Sequence, residues 1–522
     1  MSKTFFIDTL GCQKNEYDSQ VLAADLLKAG CSLVNDPEDA DILIVNTCGF
    51  IDAAKVESID HIFEMARLKG QDKKLVVTGC LSQRFHQELS SELPEVDLFF
   101  GVNDYDDIAS VLMGEDGKKD PGSEGRDKVR GRAGKILNYK ERIIPKGTYS
   151  DFLKIAEGCN NTCSFCAIPS IRGPYRSKPI EDCVREAREL AAGGVKELLI
   201  IAQDTSRYGE DLYGKVMLPE LLKELCKIDG IQWIRLMYVY DDGITDELID
   251  VMASEKKICK YIDIPIQHIS DHVLKMMRRK STSSDIKETI QKLRDRIPDI
   301  HIRTTLLVGF PGETEEDISE LQDFVREAEI DRLGVFAFSD EEGTLAHTMD
   351  GKLEQEVKEE RRDSIMEIQQ EVSYKLNSKT VGKVFPVLID EVNQGEDGEL
   401  IYVGRTEYDG PEIDNEVEFY GKAGHQPGDF VKVYLFALMY AGVRESLDND
   451  MIARQLSMKV EDVEKAWAYW ESMGVIRKER KNAAAEGKAE YDLEFVSLKR
   501  MLYGKQKSEQ KKEKQKQEDR NT

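Results

Sequence analysis

Two stretches of the chain predict a multi-domain α/β protein with parallel sheets. Residues 1–113 and 151–380 both alternate short, β-rich apolar runs with longer amphipathic ones, the rhythm of strands joined by crossover helices. The pattern changes after residue 380, where apolar runs follow one another across short turns, as in a small antiparallel barrel. A length of 522 residues allows three or four domains, each able to bury a core. With 40% apolar and 33% charged residues, the composition is globular rather than disordered.

Taken in order, TFFIDTL, ILIVNTC and LVVTGC read as strands, separated by the helical stretches EYDSQVLAADLLKAG and AAKVESIDHIFEMARLKG. This predicts an open parallel sheet of the flavodoxin-like kind over residues 1–113. Residues 114–150, with GEDGKKDPGSEGRDKVRGRAGK, are rich in Gly and charge and read as a linker. From 151 to 380, six strands are expected at FLKIAEG, ELLIIAQD, WIRLMYV, YIDIPIQ, IRTTLLVG and LGVFAF. Helical patterns lie between them, among them IEDCVREARELAAGG, EEDISELQDFVREAE and a charged stretch near 354–376. Six βα units predict a partial (βα)6 barrel, with a complete eight-stranded barrel as the alternative by length.

In residues 381–446, VFPVLIDEV and ELIYVGRT flank an Asp397-Gly398 turn, and VEFYG and FVKVYLFAL follow. Residues 447–503 read as a winged-helix-like extension: helices at NDMIARQLSM and VEDVEKAWAYWESMG, then a hairpin of VIRKERK and AEYDLEFVSL. Residues 504–522 are a lysine-rich, low-complexity tail of local charge +3, expected to be disordered.

The net charge of −26 repels phosphate backbones at long range. It weighs against a nucleic-acid substrate without excluding one, and favours a basic protein partner. No apolar run approaches the roughly 20 residues of a membrane span, and MSKTFFIDTLGC lacks a signal pattern, so a cytoplasmic location is expected. All ten cysteines lie within the first 259 residues, which in a reducing compartment points to metal binding or catalysis.

The segment EGCNNTCSFCAIPSIRG places Cys159, Cys163 and Cys166 in a C-x3-C-x2-C pattern directly after a strand. Three thiolates at this spacing can hold three irons of a 4Fe–4S cluster and leave the fourth open to a small molecule. A zinc site is the alternative, but zinc usually takes C-x2-C pairs with a fourth Cys or His, and none follows closely. The spacing resembles the radical SAM superfamily, as does the aromatic Phe165 before the third cysteine. The resemblance implies a partial (βα)6 barrel. It also implies that S-adenosyl-L-methionine binds the open iron and is cleaved by one electron to a 5′-deoxyadenosyl radical.

Cys12, Cys48 and Cys80 are far apart in sequence, but each ends a predicted strand. The carboxyl ends of a parallel sheet share one edge, so the three thiols either converge there or are separate buried cysteines. TLGCQKNEYDSQ, VNTCGF and VTGCLSQR, followed by the second cysteine set and a small barrel, resemble the methylthiotransferases over about residues 3–446. That family combines an N-terminal methylthiotransferase domain, a radical SAM domain and a TRAM domain. The resemblance implies a second, auxiliary 4Fe–4S cluster on Cys12, Cys48 and Cys80.

One branch of the family modifies tRNA adenosine, and the RimO-type branch modifies the β-carbon of an aspartate in small-subunit ribosomal protein S-twelve. LGCQKN, CAIPSIRGPYRSKP and GRTEYDGPEIDNEV resemble the second branch, although Gln13 is shared with the first. Between 381 and 446, Lys383, Arg405, Lys422, Lys432 and Arg444 stand against thirteen acidic residues, a net of −8. A module that grips tRNA should be basic, whereas an acidic one suits a basic ribosomal protein, free or in an assembling small subunit. The resemblance implies two uses of S-adenosyl-L-methionine, one to methylate sulfur at the auxiliary cluster and one to make the radical. A flavodoxin- or ferredoxin-type protein would supply electrons. No catalytic acid or base is assigned.

Cofactor-binding candidates are Phe165, Arg172, Gln203, Asp204 and Gly309, the last in VGFPGET with Pro311 and Gly312. For Arg172 the alternative is ordering of the loop, and for Asp204 a helix cap. His268 is read as more structural than functional, and Thr314 with Asp317 as a capping box. Cys31, Cys183, Cys226 and Cys259, placed within or beside helices, are expected to be structural. A winged helix also admits an iron–sulfur redox sensor that regulates transcription. Against it, two three-cysteine sets leave two open irons, and residues 459–473 are acidic where a DNA-reading helix is basic, so DNA is an unlikely partner.

Overall fold

The computed structural model describes residues 2–114, 128–129, 137–394, 400–421 and 424–434, together with the strands at 476–480 and 491–495. The Asp397-Gly398 turn, the two helices expected in 447–475, the basic tail and most of 115–136 lie outside the described residues. The chain divides into two compact units, residues 1–373 with 386–431 and residues 374–385 with 432–522.

The first unit begins with β1 (Thr4–Thr9), α1 (Gln13–Lys28), β2 (Ser32–Leu33), β3 (Ile42–Thr47), α2 (Asp52–Lys69), β4 (Lys74–Gly79), α3 (Cys80–Glu92), β5 (Leu98–Phe99) and α4 (Tyr105–Met113). The five strands are parallel in the order β2-β1-β3-β4-β5, a flavodoxin-like arrangement, as expected. β3 is buried at every position because helices cover both faces of the sheet. Alternate residues feed two cores: Ile42, Ile44 and Val76 pack with Leu22 and Leu26, while Leu43, Val45 and Leu75 pack with Ile62 and Leu81.

A second parallel sheet follows. Its elements are β6 (Ser150–Lys154), β7 (Ala156–Glu157), α5 (Ile168–Arg172), β8 (Arg176–Ser177), α6 (Ile180–Ala192), β9 (Glu197–Ile201), α7 (Glu210–Tyr213), α8 (Leu218–Cys226), β10 (Trp233–Leu236), α9 (Asp246–Ser254), β11 (Ile258–Asp263), α10 (Asp271–Met276), α11 (Ser283–Arg296), β12 (His301–Val308), α12 (Glu315–Ala328), β13 (Arg332–Ala337) and α13 (Gln355–Ser378). The sheet order β13-β12-β11-β10-β9-β6 is all parallel and ends in two open edges, so this is the partial six-stranded barrel and not the eight-stranded one. Leu198, Ile200, Ile234 and Ile262 face the helices, and Leu199, Ile201, Trp233 and Tyr261 face inward.

The antiparallel sheet contains β14 (Val384–Gln394), β15 (Leu400–Arg405), β16 (Val417–Gly421) and β17 (Phe430–Tyr434), in the order β16-β15-β14-β17. It packs on the inner face of the barrel sheet through Leu388. Arg405 pairs with Glu197 at 2.5 Å, and the Tyr261 hydroxyl donates to Asp414 at 2.8 Å. In the second unit, β18 (Ile476–Arg480) and β19 (Tyr491–Phe495) pair antiparallel, where a hairpin is expected.

Two expectations need correction. Cys259 lies in strand β11 and not within or beside a helix; it is buried, as are Cys31 and Cys183, while Cys226 is half-buried. The described part of the expected linker is not loose. Arg142 is almost wholly buried, pairing with Glu186 at 3.0 Å and donating to the Phe152 carbonyl at 2.8 Å. Its charge reads in sequence as solvated because its partners are remote.

Candidate active site

The first cysteine set is shaped by the turn after β7. Gly158 has φ +81°, and a Cβ there would lie 2.2 Å from the Pro174 carbonyl oxygen, so the turn that presents Cys159 admits only glycine. The Cys159 N–H donates to Gly173 O at 3.2 Å, and Cys159 Sγ accepts from Asn161 N–H at 3.4 Å. Ser164 anchors the loop across the barrel, its N–H on Met277 O (3.1 Å) and its hydroxyl on Met276 O (2.8 Å). The three thiols are close enough for their thiolates to repel one another. Burial first, and that repulsion with it, pushes Cys159 up to about 11 and Cys166 up to about 12.

Arg279 stands beside this set. Its guanidinium is 3.9 Å from Cys163 Sγ and is fixed by Asp241 (3.2 Å) and Pro265 O (3.0 Å). An opening of about 410 Å³ is lined by Asn161, Cys163, Tyr240, Arg279 and Lys280, and a neighbouring one of about 630 Å³ by Tyr175, Asp204 and Arg207. Solvent-open clefts therefore adjoin Cys163 and Asp204.

The second set lies at the carboxyl edge of the N-terminal sheet. Cys12 precedes α1, Cys48 follows β3 and Cys80 opens α3. The Cys48 sulfur packs against Gly11, and the Cys80 thiolate is close enough to be repelled by those of Cys12 and Cys48. The three sequence-distant cysteines are thus brought together. Asn15 ties their turns, its amide nitrogen donating to Leu10 O and Thr47 O, both at 2.9 Å. Burial pushes Cys80 up to about 12.

The donor chemistry fits iron–sulfur clusters. Each set offers three thiols whose ionised forms repel, a conflict that a cationic centre removes. Among the described residues no three His, Cys, Asp or Glu side chains close on a point as a single ion requires. A cubane, with an iron at each ligand corner, takes its thiolates at wider spacing.

The buried Arg172, six residues after Cys166 in the chain, touches the second set. From the end of α5, its guanidinium donates to Asp18 (2.6 Å), Asn15 Oδ1 (2.6 Å), Glu157 (3.2 Å) and Cys80 Sγ (3.4 Å). Lys154 completes the cluster, 2.5 Å from Asp18 and 2.8 Å from Glu157. Gln203 donates to Glu157 at 3.0 Å. Lys14 lies over the ring of Tyr238, 3.2 Å from its centre, and Tyr238 itself holds a left-handed φ of 58°.

The other candidates divide. Asp204 caps a turn through Ser206 N–H (3.1 Å), the alternative expected of it, and also accepts from Asn161 of the cysteine loop (2.8 Å). Phe165 packs against the cluster of Phe310, Phe338 and Met277. Gly309 (φ +76°) gives its N–H to Glu313 at 2.9 Å, and a Cβ there would lie 2.4 Å from Lys358 Cγ. The buried His268 accepts from Ser270 N–H at 3.0 Å, and burial pushes its pKa down to about 4. Sequence reasoning missed Asp18, Lys154, Glu157 and Arg279. Asp18 and Glu157 sit inside the motif segments TLGCQKNEYDSQ and EGCNNTCSFCAIPSIRG, while Lys154 and Arg279 carry no sequence signal.

Three family models match the chain. Residues 4–101 match the Uncharacterized protein family UPF0004, residues 153–325 the Radical SAM superfamily and residues 381–440 the TRAM domain. The chain is 46% identical over 454 residues to a protein of Clostridium acetobutylicum named "Ribosomal protein uS12 methylthiotransferase RimO", covering 86% of this chain and 97% of that one. Proteins of the same name from Clostridium tetani (48% over 412 residues, 79% and 90% covered) and a Thermoanaerobacter species (48% over 432 residues, 82% and 96% covered) are equally similar. A solved radical S-adenosylmethionine methyltransferase, TsrM of Kitasatospora setae, shares the fold at 16% identity, with a TM-score of 0.51 over 64% of this chain and 73% of that one.

Fold and site together define a radical SAM methylthiotransferase, an enzyme class that works with S-adenosyl-L-methionine and two 4Fe–4S clusters. Within that class, the chain belongs to the RimO family of ribosomal protein uS12 methylthiotransferases.

Proposed function

We propose that this chain attaches a methylthio group to ribosomal protein S-twelve, at the β-carbon of an aspartate. In this reading Cys159, Cys163 and Cys166 hold the cluster that binds S-adenosyl-L-methionine, and Cys12, Cys48 and Cys80 hold the auxiliary cluster. The observation that carries it is the arrangement of two three-cysteine sets in one compact unit, with Arg172, six residues after Cys166, bonded to the Cys80 sulfur. When bound, the cofactors supply one-electron chemistry able to open an unactivated C–H bond, together with the sulfur and the methyl group.

The chain's own residues position and enclose. Arg279, held by Asp241, presents an N–H to Cys163, and Asn161 joins the cysteine loop to Asp204. Phe165, with Phe310 and Phe338, supplies an apolar wall beside the loop that excludes water. Gln203 gives its amide N–H to Glu157 and so holds that carboxylate in the ionic cluster. The acidic charge supports a basic protein substrate, with one reservation from the fold: Asp390, Asp409 and Asp414 pair with Arg405, Arg332 and Arg303, so part of the −8 faces inward. The electron donor is read as a flavodoxin- or ferredoxin-type protein, and the location as the cytoplasm. Among the described residues no helix is long and apolar enough to cross a membrane.

The test uses S-adenosyl-L-methionine labelled in its methyl group, given to anaerobically reconstituted full-length chain with sulfide and reductant. Label entering S-twelve protein is the expected result. Label entering only tRNA would replace this reading with the tRNA-adenosine one.

A further inference from the structure

We propose that Arg172 is the positioning residue that registers the auxiliary cysteine site with the barrel site and tunes the auxiliary cluster through the Cys80 sulfur. The inference rests on the reading of Cys12, Cys48 and Cys80 as cluster ligands. Arg172 belongs to the barrel, six residues after Cys166, yet one of its nitrogens reaches the N-terminal domain, 2.6 Å from Asn15 Oδ1 and 3.4 Å from Cys80 Sγ. Its other terminal nitrogen is fixed by Asp18 (2.6 Å) and Glu157 (3.2 Å). The same two carboxylates hold Lys154.

A side chain with both terminal nitrogens committed in this way is more than a loop-ordering arginine. Asn15, which also bridges Leu10 O and Thr47 O at the Cys12 and Cys48 turns, carries its position to the other two cysteines. Two consequences follow. A cationic N–H on a cluster sulfur favours the more negative, reduced state and so raises the cluster's potential. A planar fork shared between two domains fixes their spacing in a way that a point charge does not.

The experiment compares wild type with Arg172→Gln and Arg172→Lys, as full-length reconstituted chains. Iron is counted first; about eight irons per chain show that both clusters are present. The potentials of the two clusters are then titrated by electron paramagnetic resonance. Finally, the 5′-deoxyadenosine formed per methylthio product is measured. Arg172→Gln is expected to lower the auxiliary potential and leave that of the barrel cluster unchanged. It should also raise the ratio of 5′-deoxyadenosine to product by roughly 10- to 100-fold, the usual cost of losing an outer-sphere partner. Arg172→Lys keeps the charge, so its potential should lie nearer wild type while the ratio stays high.

A variant that holds both clusters and keeps both the wild-type auxiliary potential and the wild-type ratio overturns the proposal. So does failure of both variants to fold or to hold the auxiliary cluster, which would make the arginine purely structural. Wild type with only about four irons that Cys80→Ala leaves unchanged would instead refute the cluster reading beneath it.

Discussion

Gly158 is the residue on which the first cysteine set depends most sharply. Its left-handed backbone costs an L side chain about 1–2 kcal/mol, and the contact with the Pro174 carbonyl adds to that. Gly158→Ala should therefore lower both the thermal midpoint and the iron retained after reconstitution; unchanged iron would show that the turn does not set Cys159. His268 provides a pH test. Its folded pKa is about 4 against 6.5 in the unfolded chain, so only the unfolded state takes up the proton as pH falls below 6.5. The stability it contributes is complete above 6.5 and is lost toward pH 4, about 3 kcal/mol in all. The midpoint of wild type should fall faster over that window than that of His268→Gln, and parallel curves would refute it. In sequence His268, isolated in PIQHIS, reads as more structural than functional, and its full burial was not legible there.

Among the elements, legibility followed length and burial. β3, β4 and the barrel strand β9 are buried runs rich in β-branched and Leu residues, while β12 alternates buried with half-buried positions, and their sequence shows it. β2 and β5, two residues each, are too short to carry a pattern, so three of the five N-terminal strands were expected and two were not. Helix starts were legible where a cap was. Thr314 with Asp317 forms the expected capping box of α12, and Thr282 with Asp285 forms a second at α11, which the sequence offered unnoticed. Thr282 is exposed at the helix start, so Thr282→Ala should cost about 1 kcal/mol, read as a fall in chemical-denaturation midpoint without change in iron content. No fall would mean that α11 is held by packing alone.

At the scale of the whole molecule, the two cysteine sets were legible and the means of joining them was not. Cys159, Cys163 and Cys166 announce themselves by spacing, and Cys12, Cys48 and Cys80 by their places at strand ends. Asp18, Lys154, Glu157 and Arg172 form a buried ionic cluster across 154 positions of sequence, and of these only Arg172 stood out in the sequence. Removing one partner from such a cluster strands the others in a poor solvent. Asp18→Ala, which leaves Lys154 and Arg172 short of a carboxylate, should destabilise the first unit by about 3–5 kcal/mol. A thermal midpoint within a degree of wild type would show that the cluster is not what joins the domains. The acidic TRAM-like sheet was legible as charge, but its inward ion pairs were not, since nothing in GRTEYDGPEIDNEV marks Asp409 and Asp414 as bound to barrel arginines.

The most direct measurement is the mass of the substrate. Full-length chain, reconstituted without oxygen and supplied with S-adenosyl-L-methionine, sulfide and reductant, is offered S-twelve protein and bulk tRNA in parallel. A methylthio group replacing a hydrogen adds about 46 Da. The account predicts that gain on one aspartate of S-twelve and its loss when Cys80 is replaced by Ala. A gain confined to tRNA adenosine, or S-twelve unchanged while 5′-deoxyadenosine accumulates, would contradict it.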